Sequence, residues 1–173
     1  MILMDKFDEL YFKYSDRIYS YILLMVKEKE AAEDLTQETF VKMYRNLNQY
    51  DGNSKFSTWL ISIARNCTVD YLRKQRPVYL WPFEKMSLLS SPDSVEVTVT
   101  VNENINELYK EIAKLKPVYK EVIILRKIQE LSVKETAEVT GWSEGKVKML
   151  THRAMEKLRR QWKGEGDSNE SFR

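Results

Sequence analysis

Apolar residues recur with a helical period along most of this 173-residue chain and alternate with polar ones in a single short stretch. Phe7, Leu10, Tyr11, Tyr14, Ile18, Tyr21, Ile22 and Met25 fall on one stripe at about 3.6 residues per turn, which predicts a long amphipathic helix. Leu35, Phe40, Met43, Tyr44 and Leu47 repeat the pattern over 31–47. Trp59, Leu60, Ile63, Cys67 and Tyr71 repeat it again from about 57 to 75, and Pro77 forbids a continuation. Asp51, Gly52, Asn53 and Ser54 interrupt the second and third stretches with residues that favour turns. With only 5 Gly and 4 Pro, the chain lacks the turn residues that a β-sandwich or a dinucleotide-binding sheet consumes. The expected fold class is all-α.

The period breaks over 77–104. Pro77, Pro82 and a serine-rich run lead into the alternation of Val95, Val97, Val99 and Val101, which reads as a strand with no second strand to pair with. Helical periodicity resumes at about 105. The expectation is two small helical domains, 1–76 and 105–163, joined by a flexible linker at 77–104 and followed by a disordered polar tail at 164–173.

The second domain carries the clearest local signals. A helix is expected over about 117–129 and a short helix after Ser132, whose pairing with Glu135 makes a capping box. A turn at Thr140, Gly141 and Trp142 follows, and Ser143 caps a longer helix. Short helix, glycine turn and longer basic helix spell a helix-turn-helix. Charge agrees: the net charge is only +2, yet 105–163 holds 14 basic against eight acidic residues. Val147, Leu150, Thr151, Ala154 and Leu158 give the long helix a core face. Lys148, Met149, His152, Glu156 and Arg159 lie opposite, with Lys146 and Arg153 at the margins. In a major groove Lys148 and His152 can hydrogen-bond base edges, Met149 offers apolar contact, and the flanking cations reach phosphates. A solvated helix face has similar composition, so the helix-turn-helix frame is what favours DNA.

Two further groups stand out in the first domain. Glu33, Asp34, Gln37 and Glu38 share one exposed side of the second helix. Three carboxylates from one helix, with the chain's one His elsewhere, are a poor ligand set, so no metal or other cofactor is expected. A docking surface for a basic partner helix suits them better. The other group runs from Tyr50 through Gly52, Asn53, Ser54, Lys55, Phe56 and Trp59 to Asn66, and ends in Arg73, Lys74 and Arg76. Aromatic rings and loop polar groups beside cations suit unpaired bases, which stack and offer their Watson–Crick edges. Trp59 also lies on the apolar stripe, where it serves a core equally well.

Three separate stretches, 34–40, 56–66, and 131–137 continued by 143–148 and 152–154, closely resemble the extracytoplasmic-function sigma factors of bacterial RNA polymerase. The resemblance spans the family's region 2, about 5–76, and its region 4, about 105–163. It implies a transcription initiation factor, not an enzyme, that binds core RNA polymerase and promoter DNA for a stress or envelope response. No small-molecule substrate is implied. A membrane-anchored anti-sigma factor is the implied inhibitory partner. Asp34, Leu35, Gln37, Glu38 and Phe40 match the family's core-binding segment. Tyr50, Gly52, Asn53, Ser54, Lys55, Phe56 and Asn66 match its pocket for a flipped −10 base, with Trp59 in the melting helix. Ser143, Lys146, Lys148, Met149, His152 and Arg153 fall on its −35 helix. The chain departs from the family at Lys146, where Thr is usual, at Met149, where Ser is usual, and at Asp51, where a basic residue is frequent.

Other function classes fit less well. An autonomous helix-turn-helix repressor needs a dimer to span two half-sites, and no heptad seam or effector domain is evident. A metal-dependent nuclease would depend on Glu33, Asp34 and Glu38 alone. One cysteine and a charged amino end without an apolar signal core point to a reducing cytoplasm, and no apolar run approaches the ~20 residues that cross a bilayer.

Overall fold

The fold is that of a computed structural model describing residues 2–75 and 103–167. The first half contains α1 (Ile2–Val26), α2 (Lys29–Asn46) and α3 (Phe56–Gln75). The second contains α4 (Glu103–Lys114), α5 (Pro117–Ile123), α6 (Val133–Thr140) and α7 (Glu144–Asp167). No strand occurs among the described residues, as the periodicity requires. The alternating stretch at 95–101 and Arg76 lie outside the described residues.

Boundaries move where local hydrogen bonding outruns composition. Helix α4 starts at Glu103, so the last two residues assigned to the linker belong to it. Helix α7 continues to Asp167, four residues into the stretch expected to be disordered, since nothing there blocks the i→i−4 ladder as a proline would. The single helix expected over 117–129 is α5 followed by a wider turn at Ile124–Ile128. There the Gln129 N–H donates to the Ile124 carbonyl at 2.8 Å, and Glu130 at φ 56° turns the chain toward Ser132.

Each amphipathic stripe points inward. Ile18, Tyr21 and Ile22 of α1, Phe40 and Met43 of α2, and Leu60, Ile61 and Ala64 of α3 are all buried. Val122, Ile123, Ile124 and Leu125 are buried in the second half, against Val147, Leu150 and Ala154 of α7. These side chains form one continuous cluster through both halves. At about 1.5–3 kcal/mol for each large apolar side chain fully buried, this cluster supplies most of the folding drive.

The two helical units are thus not merely tethered, because polar side chains join them across the seam. Arg65 of α3 pairs with Glu121 of α5 at 2.7 Å, with the Glu121 side chain fully buried and that of Arg65 nearly so. The Tyr21 hydroxyl donates to the same carboxylate at 3.5 Å. Lys120 reaches across to the Met25 carbonyl at 3.1 Å, and Arg17 donates to the Gln129 side chain at 2.9 Å. Burial pushes the Glu121 carboxyl above its ordinary value against the opposing pull of Arg65, and holds the Tyr21 phenol well above its own.

Gly141 ends α6 at φ 73°, in the left-handed region, with its N–H donating to the Ala137 carbonyl at 2.9 Å. Gly145 sits in the first turn of α7, and a Cβ at either position would meet nothing within 4 Å. Backbone conformation alone therefore separates them. Gly141→Ala is expected to destabilise the chain by about 1 kcal/mol and Gly145→Ala to stabilise it by a similar amount or less. Urea denaturation of the two variants checks the opposite signs.

Candidate nucleic-acid interface

The helix-turn-helix is built by its caps. The Glu135 N–H donates to Ser132 Oγ at 3.1 Å while the Ser132 N–H donates to Glu135 Oε2 at 2.7 Å, which starts α6. The Trp142 N–H donates to Thr140 Oγ1 at 3.3 Å in the turn, and the Lys146 N–H to Ser143 Oγ at 3.2 Å at the head of α7. Ser143 therefore organises the helix start. Val147 and Ala154 are wholly buried and Leu150 nearly so, which turns Lys148, Met149, His152 and Arg153 to solvent. Lys146 is half-buried, its ammonium 5.4 Å from the centre of the Trp142 ring. His152 lies 3.8 Å from Glu156, one turn along an exposed face.

In the first half, Tyr50 donates to the Ser54 carbonyl at 2.6 Å and closes the loop onto itself. Asp51 accepts from the Asn53 N–H at 3.0 Å and from its side-chain amide at 2.5 Å, and Gly52 has φ 75°. The unusual Asp51 is thus a loop organiser. The Lys55 carbonyl accepts from the Thr58 and Trp59 N–H groups at 2.9 and 3.0 Å and begins α3. Phe56 and Trp59 are half-buried in an aromatic cluster with Tyr50 and Tyr14, the ring centres 5.2–5.4 Å apart. Packing and base contact are both open to these rings. Asn66 is exposed but lies seven residues beyond Trp59, about 10 Å further along the same helix face, so the structure does not bring it to the loop. Trp59 and Asn66 mark a path along α3 instead of one pocket.

On α2, Asp34, Gln37 and Glu38 are exposed, whereas Leu35 and Phe40 are buried. Phe40 packs on Tyr11 at 4.8 Å between ring centres, so Leu35 and Phe40 hold α2 in place and present no surface to a partner. Glu33 lies 3.9 Å from Lys29, and Glu38 pairs with Lys42 at 2.7 Å. Among the described residues no group of three or more His, Cys, Asp or Glu side chains converges on a cation site. Sequence reasoning missed the exposed Val41 and Tyr44, which continue the acidic face with apolar surface at helical spacing.

Residues 10–78 match the family model of sigma-70 region 2, and residues 105–158 that of sigma-70 region 4. Over 166 residues the chain is 37% identical to the ECF RNA polymerase sigma factor SigW of Bacillus subtilis (strain 168), an alignment covering 91% of this chain and 89% of that one. The chain belongs to the extracytoplasmic-function sigma factors. It is a transcription initiation factor that directs RNA polymerase to promoters. SigX of the same strain is 34% identical over 90% of this chain and 83% of its own length. The fold is that of the sigma factor RpoE in its complex with the anti-sigma factor NepR from Bartonella quintana. That likeness has a TM-score of 0.75 at 21% identity, over 91% of this chain and 97% of that one. Among the described residues of this sigma factor, no helix is long and apolar enough to cross a membrane.

The capping box also fixes the charge of Glu135. The Ser132 N–H, with the Ser132 hydroxyl interaction and Lys55 beside it, lowers the carboxyl to about 2. A lowered acid contributes stability above its unfolded value and loses it as pH falls. The Glu135 contribution is therefore expected to be complete above about pH 4.5 and to fade toward about pH 2. A carboxyl NMR titration checks the midpoint, and Ser132→Ala should move it upward.

Proposed function

We propose that the chain docks on core RNA polymerase through α2 and reads promoter DNA with two separate surfaces. Region 2 would occupy 1–76 and region 4 would occupy 105–163, with 77–104 connecting them. Asp34, Gln37 and Glu38 contact the polymerase, extended by Val41 and Tyr44, while Leu35 and Phe40 position them. Gly52, Asn53, Ser54 and Lys55 hold an unpaired −10 base against Tyr50, Phe56 and Trp59, and Asn66 contacts the strand further along α3. Lys148, Met149 and His152 read the −35 element, with Lys146 and Arg153 on phosphates and Ser143 capping the helix. The observation that carries this reading is the capped α7, with Val147, Leu150 and Ala154 buried and Lys148, Met149, His152 and Arg153 outside.

The factor has no catalysis of its own and acts in the cytoplasm, for a stress or envelope response. RpoE in complex with NepR and CnrH in complex with the cytosolic domain of CnrY share its fold, which supports a membrane-anchored anti-sigma factor as inhibitory partner. Transcription in vitro by core polymerase plus this chain on genomic fragments is the direct test. Absence of specific initiation would overturn the assignment.

Reversing two exposed charges at a docking face replaces attraction with repulsion, at a cost of several kcal/mol. Asp34→Arg with Glu38→Arg is expected to abolish co-elution with core polymerase while the helical circular dichroism stays intact.

A base contact and a phosphate contact fail differently. Lys148→Ala is expected to cost ~1–3 kcal/mol and to relax discrimination at one −35 base pair. Arg153→Ala should weaken binding to all sequences alike and reduce the salt slope by about one unit. Affinities for single-base variants of the −35 element at several salt concentrations separate the two.

A further inference from the structure

Helix α7 carries its cations unevenly. At about 100° per residue, Lys146, Arg153, Lys157 and Arg160 fall within about 60° of one another, on the edge that borders Leu150. Glu144 and Glu156 fall outside that arc, and Lys148, Met149 and His152 occupy the neighbouring face. Two of the four cations rest on aromatic rings from outside the helix. Lys146 Nζ lies 5.4 Å from the centre of the Trp142 ring, and Lys157 Nζ lies 5.6 Å from that of Tyr119 on α5. Both distances are inside the roughly 6 Å over which a ring face attracts an ammonium.

The rings are themselves fixed by the fold. Both pack on the hydrophobic core. Trp142 follows Gly141 at φ 73°, and its N–H donates to Thr140 Oγ1 at 3.3 Å. Tyr119 belongs to α5, which packs along α7. Lys146 is half-buried in consequence, whereas Lys148 and Arg153 are exposed. A lysine on a ring keeps its charge but has already lost part of its rotamer freedom in the free protein. An unheld lysine gives up that freedom only on binding, and affinity falls accordingly. Lys146 and Lys157 stand about 16 Å apart along the helix axis, with Arg153 between them. Phosphates recur every ~3.4 Å of axis on each DNA strand, so an edge of that length meets more than one.

We propose that Trp142 and Tyr119 are positioning residues that hold Lys146 and Lys157 ready for phosphates along one strand of the −35 duplex. The proposal rests on the reading of α7 as the −35 helix and adds Lys157 to its phosphate contacts. The rings act through the lysines. Lys148, Met149 and His152 then meet the bases from an edge whose cations are ordered before DNA arrives.

The test measures binding of holoenzyme, assembled from core polymerase and the full chain, to a labelled promoter duplex recovered from the transcription assay, across a range of salt concentrations. Lys146→Met and Lys157→Met keep the apolar stem without the charge, and each is expected to lower the salt slope by about one unit. Trp142→Leu and Tyr119→Leu are each expected to weaken binding about threefold with the slope unchanged, because the ammonium is still present. In the Lys146→Met background Trp142→Leu should cost nothing further, since the ring then has no cation to hold. Trp142→Phe keeps a ring face and should fall between wild type and Trp142→Leu. An equal loss for Trp142→Leu with and without Lys146, or tighter binding when the ring is removed, overturns the proposal. If circular dichroism shows that Trp142→Leu does not fold, Trp142→Phe takes its place in the cycle, and an unchanged slope for either lysine variant counts against the bracing. Lys148→Ala is measured in parallel on single-base variants of the −35 element. Unchanged slopes for the lysine variants, with discrimination relaxed at one base pair by Lys148→Ala, sink the bracing alone. A uniform loss for Lys148→Ala sinks the reading of α7 beneath it.

Discussion

The ion pair of Arg65 and Glu121 is the contact on which the relation of the two halves depends. A carboxylate with no exposed side-chain surface loses hydration worth several kcal/mol, and Arg65 at 2.7 Å offsets that loss only while the halves stay together. Glu121 Oε2 has no hydrogen-bond partner among the described residues, so the carboxylate is only partly satisfied. Such a pair adds little net stability compared with apolar residues of the same volume. What it adds is selectivity, since any packing of the halves that leaves Glu121 buried without Arg65 is strongly disfavoured. Buried side chains of both halves, among them Tyr21, Leu60, Val122 and Ile123, supply the apolar drive, and the pair dictates the register in which that drive is satisfied.

The same division of labour recurs at each proposed surface. On α2 the buried Leu35 and Phe40 anchor the helix while Asp34, Gln37 and Glu38 face out. On α7 Val147, Leu150 and Ala154 anchor and Lys148, Met149, His152 and Arg153 face out. A 3.6-residue period allows one helix to carry a core stripe and a recognition stripe without conflict. The loop of 51–55 has no such period and is fixed by its own polar contacts, Asp51 on Asn53 and Tyr50 on the Ser54 carbonyl. It can thus vary its outward groups without disturbing the core.

Much of this is legible in the sequence alone. The caps at Ser132 and Ser143 and the glycine at 141 are local chemistry, and they appear where the sequence places them. The inward face of α7 follows from spacing alone. Other features were invisible for definable reasons. Leu35 and Phe40 look like docking residues because the family motif contains them, and only packing against α1 reveals that they are buried. Val41 and Tyr44 look like core residues because they are apolar, yet both stay about half exposed, Tyr44 with only the edge contact of Phe7 upon it. Asn66 follows the proposed −10 stretch in sequence but is carried about 10 Å past Trp59 by the rise of α3.

The sequence by itself determined the helices, their caps, their inward faces and the helix-turn-helix, because these arise from residues within a few positions of one another and from a periodicity that one strand of text displays. Tertiary structure alone decided which charges leave water. Arg65 and Glu121 are separated by 56 residues and read as ordinary surface ions. Whether an ionisable side chain is solvated or buried depends on what covers it, and the covering groups come from a distant segment whose placement follows from the summed packing of the whole chain.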